Sequence, residues 1–430
     1  MRVISMFAAM LAALVVVGVF QSWSLALAIL NLCLISAVMA LGVNIQWGYA
    51  GLINFGILGF AALGGVTAVL VSVAPVPAAW GAGGGGVIVA LMISLATILA
   101  AVFAARRAPA GVPRKLLLAF IIIGGYFLTR AFFFPAVEAI EAVDPTKAGF
   151  LGGLGLPILL SWVAGGLLAA AVAWVIGKIA LGLRADYLAI ATLGISEIII
   201  AVLKNEDWLA RGVKNVSGLP RPVPYEVDLQ QALWFQDWAA GMNVSPVEFS
   251  SIFVKLCYAG LFAIVLLVVL WLTERALHSP WGRMMRAIRD NELAAAAMGK
   301  DVTGRHLQVF VLGSAVVGLA GAMLTTLDGQ FTPASYQPLR FTFIIWVMVI
   351  VGGSGNNRGA VLGGFVIWFF WVEAEPIGLW LTDLLTSGLA EDSGLRRHLM
   401  ESAAHMRLMT MGVILLLVLR FNPRGLIPER

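Results

Sequence analysis

Apolar runs long enough to cross a bilayer recur from one end of this chain to the other, and they limit what it can become. They fall near residues 3–20, 24–47, 56–74, 87–105, 116–134, 156–180, 187–203, 252–272, 307–327, 341–355, 359–373 and 406–420. A helix needs about 20 apolar residues to span the hydrocarbon core, where every backbone polar group must find its partner within the protein. Charged residues make up 12% of the chain, about half the usual share in a soluble domain. The expected fold is an all-α polytopic membrane protein, one transmembrane domain over 1–430 with ten to twelve spanning or re-entrant helices. The runs at 24–74 and 341–373 are interrupted by Gly and Asn, which points to broken or re-entrant helices there.

The charges between the runs set an orientation. Twelve crossings from a cytoplasmic N terminus place Arg2, residues 106–115, 178–186 and 273–307, Arg358 and the C terminus on one side. That side holds 17 of the 28 Lys and Arg but 6 of the 23 acids. The other side collects Glu138, Glu141 and Asp144, six acids from Glu206 to Glu248, and six from Glu373 to Glu401. Basic loops stay in the cytoplasm, so both termini are expected inside. The net charge of +5 therefore reflects orientation and not nucleic-acid binding. Met1–Phe20 reads as a first span, since no small-residue cleavage site follows a charged start. Cys33 and Cys257 lie in apolar segments and imply neither a disulfide framework nor a metal site.

The longest basic island, Thr273–Leu307, carries six Lys/Arg against Glu274, Asp290, Glu292 and Asp301. Trp281–Met298 is rich in helix formers, broken only by Asp290 and Asn291, with Gly299 as its stop. Arg286 with Asp290 and Arg289 with Glu292 have the spacing to pair along its surface. Ala294–Ala297 leave a helix patch without bulk, where another protein could approach closely. A solvated connector helix is the plain alternative. The segment 204–251 is the largest loop on the opposite side, with four Pro and Trp208, Trp234 and Trp238. It reads either as headgroup-level aromatic anchoring or as a platform for an external partner. AWGAGGGG (79–86) is expected to be a flexible turn; no Gly-Lys-Ser/Thr follows it, and without a phosphate-binding loop the chain is not expected to hydrolyse ATP itself.

Within the spans, Asn44, Gly48, Gly51 and Asn54 share one stretch with Gln46, where amide side chains could serve the backbone of a broken helix. A short cytoplasmic turn between two complete spans is the alternative. Glu197, with Tyr187 and Thr192 in the same run, is an acid well inside an apolar segment. Such a residue is expected to face the bundle interior as a salt-bridge or hydrogen-bond partner, since a central carboxylate costs roughly 2.5–3.5 kcal/mol on insertion scales. Ser314, Gly318 and Ala322, and Gly355, Gly359 and Gly363, have the four-residue spacing of close helix packing. Gly352 and Gly353 would permit a sharp turn.

The stretch IRDNELAAAAMGKDVTGRHLQVFVLGSAVVGLAGAM resembles the cytoplasmic loop and following span of the permeases of branched-chain amino acid ABC importers. The likeness continues in GYAGLINFG (48–56), DYLAIATLGISEII (186–199), VIVGGSGNNRGAVLGG (349–364) and RFNPRGLIP (420–428), in the family's order. It implies a coupling helix that docks on an ATP-binding subunit, with Glu292, Ala294, Ala295 and Gly299 at matching positions and with Arg286 and Asp290 on the same helix. The polar and glycine positions Asn44, Gly48, Gly51, Asn54, Thr192, Glu197, Gly352 and Gly353 are the candidates for lining the translocation path. The implied setting is the bacterial inner membrane. The implied partners are a homologous permease, two ATP-binding cassette subunits that hold ATP and Mg, a soluble substrate-binding protein and membrane lipid. No cofactor is expected in this chain. Ile57 stands where the family usually has a polar or aromatic residue, and the run at 116–134 has no counterpart among these motifs. A self-sufficient secondary transporter or channel is the alternative, and it would need ion-coupling groups, for which Glu197 is the candidate.

Overall fold

A computed structural model describes residues 2–109, 111–144, 149–387, 394–402 and 405–429. Glu391, Asp392 and Arg430, counted above in the charge distribution, lie outside the described residues. Among those described, nine helices are long and apolar enough to span a membrane. They are α1 (Arg2–Phe20), α2 (Trp23–Val43), α4 (Gly85–Arg107), α5 (Val112–Ala142), α6 (Leu159–Ala180), α7 (Ala185–Asn205), α8 (Pro246–His278), α11 (Val302–Asp328) and α13 (Asn357–Thr386). Two shorter apolar helices, α3 (Ile57–Ser72) and α12 (Ile344–Gly352), follow the interruptions expected at 24–74 and 341–373. Between α8 and α11 lie two helices of the polar island, α9 (Pro280–Asp290) and α10 (Glu292–Ala297). α14 (Met406–Phe421) closes the series. Each of the twelve apolar runs is a helix.

The core forms where α11 packs against α6, α3 and α2, and where α13 packs against α2 and α12. Lipid tails are as apolar as Leu, so these helices are held by close backbone approach more than by exclusion of water. The small residues supply it. A methyl group at Gly64 would collide with the Gly318 carbonyl, one at Gly321 with the Ala61 carbonyl, and one at Gly363 with the Met348 carbonyl. Ser314, Gly318 and Ala322 are indeed buried, on the side of α11 that meets α2 and α6.

Two expectations are revised. The glycine-rich segment 79–86 is not a flexible turn: Trp80–Gly84 forms a π-turn that runs straight into α4, because Gly83 and Gly86 let this stretch lie against Ala136 of α5. The run ending at 373 continues as α13 to Thr386, so Glu373 is not a loop acid. It is buried, and Gln21 Nε2 donates to its Oε2 at 2.8 Å. The loop between α7 and α8 is ordered by short helices and by a two-residue antiparallel pairing of β1 (Val216–Ser217) with β2 (Gln330–Phe331). Trp208 turns inward onto Phe133 of α5, while Trp234 and Trp238 are exposed.

Candidate functional site

The helix begun as α2 does not stop cleanly. After Val43 it widens into a π-turn at Asn44–Gly48, and Gly51 then takes φ +68, which frees residues 51–56 from helix before α3 begins. π-turns inside helices cluster at functional sites because they leave backbone groups out of register. Here the side chains of the same stretch satisfy those groups. Asn44 accepts from the Gly355 backbone N–H at 2.9 Å and donates through Nδ2 to Asn357 Oδ1 at 3.1 Å. Tyr49 also donates its hydroxyl to Asn357 Oδ1. Gln46 Nε2 reaches the Phe310 carbonyl and Ser314 Oγ of α11, both at 3.1 Å. Its Oε1 accepts from Asn54 at 2.9 Å, and Asn54 Oδ1 accepts from Gly56 N at 2.7 Å just ahead of α3. At the deep end, Thr192 Oγ1 of α7 accepts from Phe55 N at 3.1 Å, and Trp346 Nε1 of α12 donates to the Asn54 carbonyl at 3.0 Å.

The second break mirrors the first. α12 ends at Gly352; Gly353 and Gly355 take φ +116 and +84, and Asn356 caps α13. Residues 426 and 427 pair with this turn, Leu426 N donating to the Val351 carbonyl and Ile427 N to Gly352, each at 2.9 Å. Glu429 is thereby held beside the polar island.

The island is two helices in place of one. Ser279 Oγ accepts from Gly282 N to start α9, and Asn291 is extended and accepts from Ala294 N at 3.0 Å to start α10. Gly299, at φ +75, ends the pair, as its position implied. Met285 and Ile288 of α9 and Ala295 of α10 are buried against Ile45, Tyr49 and Ala50. Between them, Arg289 bridges the island to the first break. Its Nη1 donates to the Gly48 carbonyl at 2.5 Å and lies 2.8 Å from Glu429 Oε2, while Nε is 3.3 Å from Asp290. Burial opposes the Arg289 charge, but Glu429 and Asp290 more than compensate and hold its pKa above the ordinary value.

These positions correct the expected pairs. Arg289 does not meet Glu292, and Arg286 does not meet Asp290. Arg286 instead comes within 4.0 Å of Glu429. The bend at Asn291 takes Glu292 off the α9 surface, and the stronger, less exposed partner for both arginines is the carboxylate brought in by residues 426–429. Ala295 is not part of an open patch either; it faces its own chain. What α10 does present is Leu293 and Met298, 83% and 80% exposed, beside exposed Ala294, Ala296 and Ala297. Leu293 and Met298 carry that surface and escaped sequence reasoning, although an exposed Leu and Met in a polar island are the signal that could have found them.

The residues expected along a path separate into three sets. Asn44, Gly48 and Gly51 gather with Gly353, Gly355 and Arg289 at the island, and Asn54 and Thr192 gather at the deep end of the same strip. Asn44, Gln46 and Asn54 are 0, 2 and 1% exposed, so in this state they fill the bundle as a closed network instead of lining an open channel. Gly352 ends α12 against Gly359. Glu197 stands apart. It lies on the exposed side of α7 with Tyr187 and Ile198, not toward the bundle interior, because Thr192, Ser196 and Ile200 take the face that packs on α3.

The family model described as branched-chain amino acid transport system / permease component matches residues 25–419. The chain belongs to this family. It is 25% identical over 398 residues to a probable branched-chain amino acid transport permease protein LivM of Methanocaldococcus jannaschii, covering 91% of this chain and 90% of that one. It is 26% identical over 264 residues to the high-affinity branched-chain amino acid permease LivM of Salmonella typhimurium, spanning 61% of this chain and 56% of the relative's length. A xylose transport system permease protein, XylH of Escherichia coli, is 27% identical over 168 residues, 37% of this chain and 40% of that one. No solved structure matches the chain. The matched region takes in both breaks and the island with Arg289, while residues 426–429, which pair with the second break and supply Glu429, follow it.

Proposed function

We propose that this chain is the membrane-spanning permease subunit of an ABC importer for branched-chain amino acids or a related small polar solute. The observation that carries the reading is the island. α9 is bolted to the broken segment of α2 through Arg289 and a small apolar core, while α10 holds Leu293, Ala294 and Met298 out into the open. A connector helix has no need of either feature. A helix that must receive a push from another protein and pass it to the bundle needs both. In this reading α9–α10 is the coupling helix and lies in the cytoplasm with both termini. Two ATP-binding cassette subunits bind and hydrolyse ATP-Mg, a homologous permease completes the path, and a soluble binding protein delivers solute to the other face. Closure of the ATPases favours one arrangement of the bundle over the other, and the differential affinity of the two states does the work.

Reconstitution with two ATP-binding cassette subunits and a substrate-binding protein tests this. Leu293→Asp and Glu292→Lys should leave membrane abundance unchanged while uptake and substrate-stimulated ATP hydrolysis fall together, with less ATPase co-purified. Gly299→Leu should act the same way: nothing stands where its side chain would go, but φ +75 disfavours any Cβ. Full activity and assembly in all three would return α10 to the role of a solvated connector.

A further inference from the structure

The bundle holds a second polar site, at the end opposite the island. α11 ends at Asp328, Gly329 turns at φ +65, and the chain pairs as β2 with β1 before a short 3-10 turn at Pro333–Ser335. It then returns into the bundle through a π-turn at Leu339–Phe343 that leads into α12. This detour encloses a cavity of about 290 Å3 lined by Thr325, Asp328, Thr332, Tyr336, Arg340 and Phe341. A narrower apolar gap among Leu32, Ile35, Leu324 and Ile345 continues from it beneath Arg340.

The two charged residues face this cavity without forming an ion pair with each other. The Arg340 guanidinium is held by aromatic faces, 5.2 Å from the ring centroids of both Phe341 and Trp368 of α13. Its Nε is buried and has no hydrogen-bond partner, and the same is true of Thr332 Oγ1. The hydroxyls of Thr325 and Tyr336, 3.2 Å apart, complete the polar wall. Ionisable residues within a membrane bundle are costly and normally pair with one another. A buried donor left unmade adds to that cost. A purely structural pair would have closed this gap. Keeping an anion and a cation apart around an open space makes sense when the missing partners arrive together on a ligand.

We propose that the Asp328–Arg340 cavity binds the zwitterionic head of an α-amino acid. The Arg340 fork matches a carboxylate, and Asp328 with the adjacent hydroxyls matches an ammonium. Leu324 and Phe341 give the cavity an apolar wall for an aliphatic side chain, while the gap beyond, about 10 Å3, is too small to take one. The cavity sits at the small end of the ~300–1,000 Å3 range of ligand pockets, which suits a single amino acid and not a peptide. A sugar or urea brings neither charge and would leave both ions unmatched. The assignment rests on the importer reading and names its substrate class.

Equilibrium binding of radiolabelled L-leucine to the assembled transporter in nanodiscs, without its binding protein, tests it. Leucinol, which lacks the carboxylate, and isocaproate, which lacks the ammonium, should each compete about tenfold or more weaker than leucine, the loss expected for one charge-assisted contact. Arg340→Gln should erase the discrimination against leucinol and keep that against isocaproate; Asp328→Asn should do the converse. Co-purification with the ATPases checks that both variants fold, and a general packing defect would not produce crossed losses. Unchanged discrimination in both variants, absence of leucine binding, or competition by xylose or urea at leucine-like concentrations would overturn the assignment. Vesicle uptake separates the two levels. Leucine uptake with unaltered variants sinks this site alone, whereas ATP hydrolysis with no amino acid uptake by the wild type sinks the amino acid importer reading as well.

Discussion

α2 and the α4–α5 hairpin are equally apolar by composition, yet they stand at opposite ends of the range of burial. Of the spanning window of α2, 78% is buried, against 17% for the α4 span and none for α5. The difference lies in what the apolar residues are accompanied by. α2 carries Ala37, Ala40 and Gly42 where α13 and α11 press against it, and it runs into the amides of Asn44 and Gln46. α4 and α5 carry Leu, Ile and Phe outward and touch mainly each other. In a membrane, hydropathy decides that a helix inserts; small residues and amides decide what it inserts against.

The largest expected effect is therefore a steric one in the core. Gly64→Val places a side chain into the Gly318 carbonyl, backbone against backbone, with no flexible neighbour to yield. Overpacking of a well-filled core costs about 1–3 kcal/mol and occasionally more, and here the upper end is expected. Gly124→Val in α5 meets nothing within 4 Å and should be neutral or slightly stabilising, as a helix gains from losing Gly. Thermal unfolding of the two purified variants reads the contrast directly. Equal stabilities would mean that α3 and α11 do not approach as closely as described.

Next comes the link from the island to the break. Arg289→Gln removes the cation shared by the Gly48 carbonyl and Glu429. Because the group is partly exposed, the stability loss should stay near 1 kcal/mol. Transport should suffer far more, by about tenfold in uptake, with ATPase docking intact since α10 is untouched. Arg289→Lys keeps the charge but not both contacts and should recover part of the activity. Normal uptake in Arg289→Gln would show that movement of α9 reaches the bundle by another route. A smaller effect belongs to Tyr49→Phe. Asn357 Oδ1 keeps the Asn44 donor, so the loss should be about 0.5–1.5 kcal/mol in a denaturation midpoint.

Much of this architecture is legible in the sequence alone. Length and hydropathy marked every apolar helix, Gly299 announced the end of the island, and the spacing of Ser314, Gly318 and Ala322 announced the packing of α11. What the sequence could not place depends on contacts between distant segments. Arg289 has an acid, Glu292, at the helical spacing that favours pairing, yet apart from adjacent Asp290 the groups it bonds are 241 and 140 residues away, and local spacing carries no trace of them. Glu197 looked buried because its neighbours are apolar, but periodicity along α7 leaves open which side turns toward α3. Arg340 and Asp328 each sit at the edge of an apolar run, where nothing local sets them apart; only the return of the chain through β2 brings them to one cavity.

The smallest expected effect belongs to the outer face of α5. Phe120 is 77% exposed, and Ile122, Ile123 and Phe127 continue the same bare surface. In water such a patch would demand a partner, but in a bilayer lipid covers it at no cost. Phe120→Ala together with Ile123→Ala should then change neither assembly nor uptake, within about 0.5 kcal/mol by unfolding. A nitroxide attached at position 120 should be reached by oxygen dissolved in the lipid and shielded from a water-soluble nickel chelate. If the double variant instead lost its second permease on purification, or the nitroxide were shielded from both reagents, the face would be a protein interface. The hairpin would then belong with α2, as a buried element whose covering lies on another chain.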